Sequence, residues 1–450
     1  MKLDKKTVYF TSLGCSKNLV DSEVMLGHLG LGGFQMVYEP ALAEVIITNT
    51  CSFIEASKVE SIDTILELAE YKEKGKCKAL VVSGCLAQRY ASNIEAELPE
   101  VDLIIGTGEY NKIVTLLKAF EEGKLEAKSH VEIPKFIHTE FDPRINTSPF
   151  YTAYLKISEG CNRNCTFCII PTIRGRLRSR TVESLVAEAK NLAKTGVKEL
   201  NLISQDLSDY GVDLQGNTLL ELLTGLEQVE GIEWIRLFYF YPDDLTEEVM
   251  EKIATSKKIC KYLDMPVQHF SDSVLKRMNR KVTGDEILAK VKRLKEKIPG
   301  MIIRTSIIVG FPGESEEDFQ KVIDGVEACQ FNHLGIFRYS DEDGTPAFKL
   351  NPKVPQEIIE ERFDRLHKAQ LKVVKILNKK VIGQTVDVLI EGLHEETELL
   401  IQGRCEGQAP DIDGKVFIND TKDQPLNVGQ MVKVKINKIM DYDLLGEISL

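Results

Sequence analysis

No apolar run in the 450-residue chain approaches the length needed to cross a bilayer, which argues against a helical membrane protein. The first residues, Met1-Lys2-Leu3-Asp4-Lys5-Lys6, are charged, but the apolar stretch after them is short and reads as a strand. No secretory leader is therefore expected, and a reducing cytoplasm is. Positive charge is also in short supply: 57 Lys and Arg stand against 69 Asp and Glu, a net charge of −12. That balance argues against broad adhesion to nucleic acid and leaves room only for a local basic site. Histidine is scarce at 7 residues, and there is no low-complexity tract. Hydrophobic residues at 43% and charged residues at 28% are ordinary for a soluble globular protein, and the length allows two or three domains. Cysteine is not scarce. Ten thiols in a reducing compartment point to metal or redox chemistry rather than cross-links.

Three of the ten fall within eight residues, in Glu159-Gly160-Cys161-Asn162-Arg163-Asn164-Cys165-Thr166-Phe167-Cys168-Ile169-Ile170-Pro171, just after the strand-like run Ala153–Ser158. A disulfide would leave an odd thiol. Structural zinc needs a fourth ligand, and no Cys or His lies within the next several dozen residues. Thiolates spaced C-x3-C-x2-C on a loop can converge on one soft metal centre, and a four-iron cluster held by three of them keeps one iron open.

The rest of the chain alternates strands and helices. Thr7–Leu13, Glu44–Thr50, Lys78–Gly84 and Val101–Ile105 read as strands, with helices over Asp21–Leu31 and about Ser57–Lys72. Such alternation predicts a doubly wound parallel sheet ending near Phe120. Cys15, Cys51 and Cys85 each lie just past a strand end, 36 and then 34 residues apart. Loops at the carboxyl ends of such strands gather on one edge. Equivalent positions for three thiols point to a second metal site, although any one of them alone reads as a buried core cysteine.

Residues 121–148 lack periodicity and carry Pro134 and Pro143, and read as a crossing linker. Six further strands are expected at Ala153–Ser158, Glu199–Ser204, Trp234–Phe240, Lys261–Val267, Ile302–Val309 and His333–Tyr339. Helices between them predict a partial, open version of the eight-fold barrel, with its active site on the C-terminal face of the strands. Cys161, Cys165 and Cys168 follow the first of these strands. Gly310 and Gly313 follow the fifth; either they let backbone approach a ligand or their turn simply needs two glycines. Arg174, Arg176, Arg178 and Arg180 read either as a solvated face or as a bidentate carboxylate clamp. His269 beside Gln268 reads as a substrate contact or as an ordinary turn residue. Cys77, Cys260, Cys329 and Cys405 read as structural. From Val381 to Leu450 short β-rich runs and frequent glycines predict a small antiparallel barrel, in which 13 acidic residues outnumber 6 basic ones for a net −7.

Taken together, these residues resemble the methylthiotransferases, a branch of the radical S-adenosylmethionine (SAM) enzymes, over nearly the whole chain. The resemblance rests on Leu13-Gly14-Cys15-Ser16-Lys17-Asn18, Asn49-Thr50-Cys51-Ser52-Phe53-Ile54, Ser83-Gly84-Cys85-Leu86-Ala87-Gln88 and the Cys161–Cys168 motif. It implies a methylthiotransferase N-terminal domain (5–121), a radical SAM core barrel (147–377) and an OB-like TRAM domain (380–448). It further implies two [4Fe-4S] clusters, one on Cys161, Cys165 and Cys168 that cleaves SAM, and an auxiliary one on Cys15, Cys51 and Cys85 that carries sulfur. Gln205, Gln268, Arg178, Gly310 and Gly313 are the expected SAM-binding residues.

Gln205-Asp206-Leu207-Ser208-Asp209-Tyr210-Gly211, Pro266-Val267-Gln268-His269 and Tyr339-Ser340-Asp341-Glu342-Asp343-Gly344-Thr345 resemble the branch that methylthiolates the β-carbon of an aspartate in ribosomal protein S-twelve of the small subunit. The other branch modifies an adenosine beside the tRNA anticodon. A terminal barrel of net −7 suits a basic ribosomal protein better than RNA, so direct nucleic-acid binding is not expected. The acceptor carbon is saturated and its hydrogen hardly acidic, which calls for radical chemistry from a cofactor. An electron donor and a sulfur donor are implied as partners.

Overall fold

The computed structural model describes residues 6–449; Met1–Lys5, in the charged start of the chain, and Leu450 lie outside the described residues. The first unit is a six-stranded, all-parallel sheet built from β1 (Thr7–Ser12), β2 (Gln35–Met36), β3 (Val45–Thr50), β4 (Ala79–Gly84), β5 (Leu103–Ile105) and β6 (Ser129–His130). Its order is β2-β1-β3-β4-β5-β6. Side chains alternate between its two faces. Val45, Ile47 and Val81 enter one core with Val24, Met25 and Leu117, whereas Ile46, Leu80 and Val82 enter another with Ile65, Leu86 and Ile94. A sheet apolar on both faces must be covered on both. Helices Ser16–Leu31 and Ile113–Glu121 cover the first face, and Glu55–Ala69 and Cys85–Glu97 the second.

Two short strands, β2 and β6, escaped the pattern because neither has an apolar run to announce it. Strand β6 lies in the stretch that reads as a linker. The remainder of that stretch is pinned down: Arg144 donates to Glu23 at 2.9 Å and to the carbonyl of Tyr154 at 2.7 Å, and Thr147 donates to Glu23. It is a strap between the first two units rather than a free linker.

The second unit is also parallel. Strands β7 (Thr152–Lys156), β10 (Glu199–Ile203), β11 (Trp234–Leu237), β12 (Ile259–Asp264), β13 (Ile302–Val309) and β14 (His333–Arg338) run in sequence order across one sheet, with β7 and β14 at its edges. This is the open barrel. Between β7 and β10 lies a short antiparallel ribbon of β8 (Ser158–Glu159) and β9 (Arg178–Ser179). Outward residues such as Leu200, Leu202, Ile235, Leu263 and Ile303 pack under the helices. Inward positions are unusually polar: Lys156, Glu199, Asn201, Arg236, Asp264 and Thr152 are all buried.

The third unit is a closed barrel of β15 (Thr385–His394), β16 (Thr397–Cys405), β17 (Val416–Asp420), β18 (Met431–Met440) and β19 (Asp443–Ile448). It is antiparallel except for the β17–β19 pair, which is parallel. It docks where the strands of the open barrel begin. Arg404 donates to Glu199 at 2.6 Å, Arg236 donates to Glu199 at 3.0 Å, and His333 meets the carbonyl of Gly407 at 2.8 Å. The carboxyl-terminal ends of the strands are thereby left to the first unit.

Glu199 holds two buried cations at once. Burial alone would raise its carboxyl, but Arg404 and Arg236 outweigh that and hold it at about 2. Glu199→Gln leaves both guanidinium groups without their counter-charge, and is expected to cost about 3–5 kcal/mol of stability, read as a lower urea midpoint. Because the folded-state value is depressed, the contribution of Glu199 is complete above its unfolded value of 4.5 and is lost as pH falls towards about 2.

Candidate metal centres

Cys15, Cys51 and Cys85 follow β1, β3 and β4, three adjacent strands, so topology alone gathers them on one sheet edge. Two glycines let the loops close up. Gly14 has φ +86°, and a Cβ there would lie 3.0 Å from the Cys51 sulfur; Gly84 has φ +92°, and a Cβ there would lie 2.2 Å from Asn49 Oδ1. Asn18 ties the loops together: its Nδ2 donates to the carbonyls of Leu13 and Thr50, both at 2.9 Å.

Cys161, Cys165 and Cys168 occupy the loop after β8, on the C-terminal face of the open barrel. Arg163, between the first two, anchors this loop by donating to Asp206 at 2.7 Å, to Asp209 at 3.0 Å and to Asp244. On the other side, Thr166 donates to the carbonyl of Arg277 at 2.8 Å and Asn279 to that of Asn164 at 2.8 Å. Arg280 places Nη1 3.9 Å from the Cys165 sulfur.

The two sets face one another across the domain junction. Cys85 packs with Ile169, which directly follows Cys168, and with Ile173 on the helix after it. Arg174, on the helix Ile170–Arg174, donates to Asn18 at 2.8 Å, Asp21 at 2.7 Å and Glu159 at 3.0 Å, and its Nη2 lies 3.5 Å from the Cys85 sulfur. Lys156 donates to Glu159 at 2.7 Å and also to Asp21. Two cations and two carboxylates, drawn from both domains, thus form a closed buried quartet. Burial would raise the Glu159 carboxyl, but Arg174 and Lys156 hold it well below the usual range. A second bridge runs from Arg89 to Glu342 at 2.9 Å and to Asp343 at 2.6 Å.

The donor set fits a polynuclear cluster. Among the described residues, the one trio of Cys, His or carboxylate ligand atoms lying within 4.8 Å of one another is Asp206, Asp209 and Asp244, and Arg163 fills it. Neither cysteine trio is that tight. At a metal–sulfur bond of about 2.3 Å, thiols that do not meet that spacing are a poor set for a single ion, and a cluster with one iron per thiol is the centre that would suit them. Burial pushes Cys85 and Cys168 up to about 12 and Cys161 to about 11. Thiols held so high are poor nucleophiles on their own, and a coordinated cation is what would deprotonate them. Buried polar atoms without protein partners collect nearby, including Ser158 Oγ, Ser204 Oγ and Gln205 Oε1 at the ends of β8 and β10.

The expected SAM residues divide. Gln205 Nε2 donates to Glu159 at 2.7 Å, leaving Oε1 unpartnered. Gln268 follows β12 with φ +70° and bridges to Ile307. Arg178 donates to the carbonyls of Arg176 at 2.9 Å and Arg174 at 3.2 Å, so its fork is already engaged. The Gly310 amide donates to Glu314 at 2.9 Å and the Gly313 amide to the carbonyl of Pro352 at 2.8 Å. Both have positive φ, so the turn itself accounts for them. His269 is buried, with Nδ1 accepting from the Ser271 amide and Nε2 3.4 Å from Glu314, which makes it a turn residue. Cys77, Cys260 and Cys329 are buried in core clusters, and Cys405 packs against another.

Sequence reasoning missed Asn18, Glu159 and Arg174 as organisers of the junction, although all three fall within motifs it singled out. It also missed Lys17 and Tyr239. The Lys17 ammonium lies 3.1 Å from the centroid of the Tyr239 ring, and burial lowers its pKa to about 8.

Comparison with known proteins agrees with this fold. The chain matches the family described as "Radical SAM superfamily" over residues 155–326, "Uncharacterized protein family UPF0004" over 7–106 and "TRAM domain" over 382–448. It is 48% identical over 445 residues to the "Ribosomal protein uS12 methylthiotransferase RimO" of Geobacter sulfurreducens, covering 99% of both chains. It is 49% identical over 444 residues to the protein of the same name from Myxococcus xanthus, covering 98% of this chain and 92% of the relative. Among solved structures, the radical S-adenosylmethionine methyltransferase TsrM of Kitasatospora setae, with cobalamin and a [4Fe-4S] cluster bound, superposes with a TM-score of 0.57 at 14% identity. It covers 76% of this chain and 77% of that one, a likeness of fold.

Proposed function

The chain belongs to the ribosomal protein uS12 methylthiotransferases of the radical SAM superfamily, and from that premise we propose how its residues divide the reaction. The protein is an enzyme, a uS12 methylthiotransferase, and in our reading the methylthio group goes to the β-carbon of an aspartate. In our reading, Cys161, Cys165 and Cys168 hold one [4Fe-4S] cluster, and Cys15, Cys51 and Cys85 a second. When bound, the first cluster with SAM supplies the radical that removes hydrogen from an unactivated carbon, and the second supplies the sulfur.

The protein's own work is positional. Arg163 and Arg280 fix the loop that carries the first trio, and Asn18 fixes the loops that carry the second. The Lys156–Asp21–Arg174–Glu159 quartet holds the two domains in register and neutralises charge where water is excluded. Gln205, Gln268 and Arg178 border the SAM pocket in this proposal, with Gly310 and Gly313 shaping the loop beside it. The domains run 5–121, 147–377 and 380–448. An electron donor and a sulfur donor must come from outside the chain. No helix of the described residues is long and apolar enough to cross a membrane. In this proposal the reaction is cytoplasmic, which a ribosomal substrate supports.

The observation that carries the proposal is Arg174, which touches the Cys85 sulfur of one trio and, through Glu159, the start of the loop of the other. The terminal barrel, at net −7, complements a basic ribosomal protein. Mass spectrometry of ribosomal proteins and tRNA from cells with and without the gene is the test. The methylthio group is expected to vanish from uS12 and to persist on tRNA; the reverse result would assign the chain to the tRNA branch.

A further inference from the structure

The junction between the two cysteine trios carries a lysine that no carboxylate matches. Lys156 and Arg174 are each paired with both Asp21 and Glu159. Arg304 lies 3.3 Å from Asp264 and 3.6 Å from Asp413. Lys17 has no such partner: among the described residues no carboxylate comes within 4.0 Å of its ammonium, and Cys15, Asp264 and Glu159 act on it only through space. Yet the residue is only 8% exposed.

Its neighbour on the other domain is Tyr239, two residues past β11 on the C-terminal face of the open barrel, with its ring against the ammonium. A cation–π contact offsets part of the desolvation cost but engages at most one of the three N–H donors. Tyr239 itself has φ +59°, a conformation costly for an aromatic residue, and strain of this kind gathers at ligand-binding sites. A cation only 8% exposed, with no carboxylate within 4.0 Å among the described residues and set against a strained residue from the opposite domain, is a group that an incoming anion stabilises.

Resting on the methylthiotransferase reading, we propose that Lys17 binds the carboxylate of the target aspartate of uS12. The carbon that reacts is bonded directly to that carboxyl carbon, so a grip on the carboxylate fixes the reacting carbon one bond away. SAM also carries a carboxylate, and its affinity measured beside that of uS12 tells the two anions apart. Lys17 stands two residues from Cys15, on the side from which sulfur arrives. Lys17 therefore selects an acidic side chain over its amide and orients it between the two centres.

The test measures dissociation constants of reconstituted holoenzyme for uS12 and for uS12 with the target aspartate replaced by asparagine. Wild type is expected to prefer the aspartate form by on the order of 30-fold, as for a buried charge-assisted contact. Lys17→Met is expected to erase that preference by weakening the aspartate form alone, with bound iron and SAM affinity unchanged; Lys17→Arg is expected to retain part of it. The assignment is overturned if Lys17→Met keeps the preference. It is overturned equally if SAM affinity falls in its place, which would make the anion SAM, or if iron is lost, which would make Lys17 a support for Cys15. Failure of the wild-type enzyme to modify uS12 overturns the broader reading as well, and is seen before any substitution is made.

Discussion

Replacing Cys161, Cys165 and Cys168 together by Ala abolishes cleavage of SAM to 5′-deoxyadenosine and removes half of the iron bound by reconstituted protein. The expectation follows from where these thiols sit. They lie on a loop fixed on one side by Arg163 to Asp206 and Asp209, and on the other by Thr166 to Arg277, so the loop keeps its course when the sulfurs go. Cys161 is 8% exposed, and an alanine in its place removes a ligand without exposing a core. The opposing trio is held by Asn18, bonded to Leu13 and Thr50, and by the sheet edge, and neither depends on these three sulfurs. Its half of the iron should therefore remain. Anaerobic assay of 5′-deoxyadenosine together with iron analysis decides the matter: undiminished cleavage would end the assignment, and loss of all iron would mean that the two centres do not form independently.

How far the chain could be read without coordinates depended on whether burial followed polarity. In the open barrel it did. Ile302–Val309 and the helix Gly284–Lys297 lie where their patterns place them, because each has one apolar side facing a core. The doubly wound sheet was legible for the same reason, and with it the placing of Cys15, Cys51 and Cys85 at the ends of adjacent strands. The helix Ser16–Leu31 was not fully legible. Its pattern begins at Asp21, yet the helix starts directly after Cys15, because Lys17, Asn18, Asp21 and Glu23 are buried where they meet residues beyond the first sheet, and Ser22 is buried against Ser12 and Asn49. Polar residues facing a domain junction look like a solvated turn to any rule that equates polarity with exposure.

The arginine run shows the same limit. Arg174 and Arg180 are buried, Arg176 is exposed and Arg178 lies between, so the alternation encodes neither a uniform solvated face nor a four-fold clamp. Arg174 entered the site through Asp21 and Asn18, residues more than 150 positions earlier in the chain. Spacing cannot reveal a partner at that distance. Its one local sign was Glu159, 15 residues before it and next to the glycine that opens the cysteine motif.

The opposite signature is expected when Cys15, Cys51 and Cys85 are all replaced by Ala. Such protein should bind half the iron, cleave SAM at a rate close to wild type and transfer no methylthio group to uS12. Cleavage should survive because Arg163, Thr166 and Arg280 fix the other loop without help from the first domain. The domain junction should survive too: Arg174 loses its contact with the Cys85 sulfur at 3.5 Å but keeps Asp21 at 2.7 Å, Asn18 at 2.8 Å and Glu159 at 3.0 Å. Cys51 and Cys85 are small and buried, so alanine leaves modest cavities rather than unpaired charge. Transfer, by contrast, should vanish outright, since sulfur would have nowhere to reside next to the substrate carbon. Iron analysis, 5′-deoxyadenosine assay and mass spectrometry of uS12 on the same preparation separate the possibilities. Full iron content with continued transfer would refute a second centre at these thiols; loss of SAM cleavage along with transfer would show that the two domains act as one unit, and that the quartet around Arg174 transmits more than register.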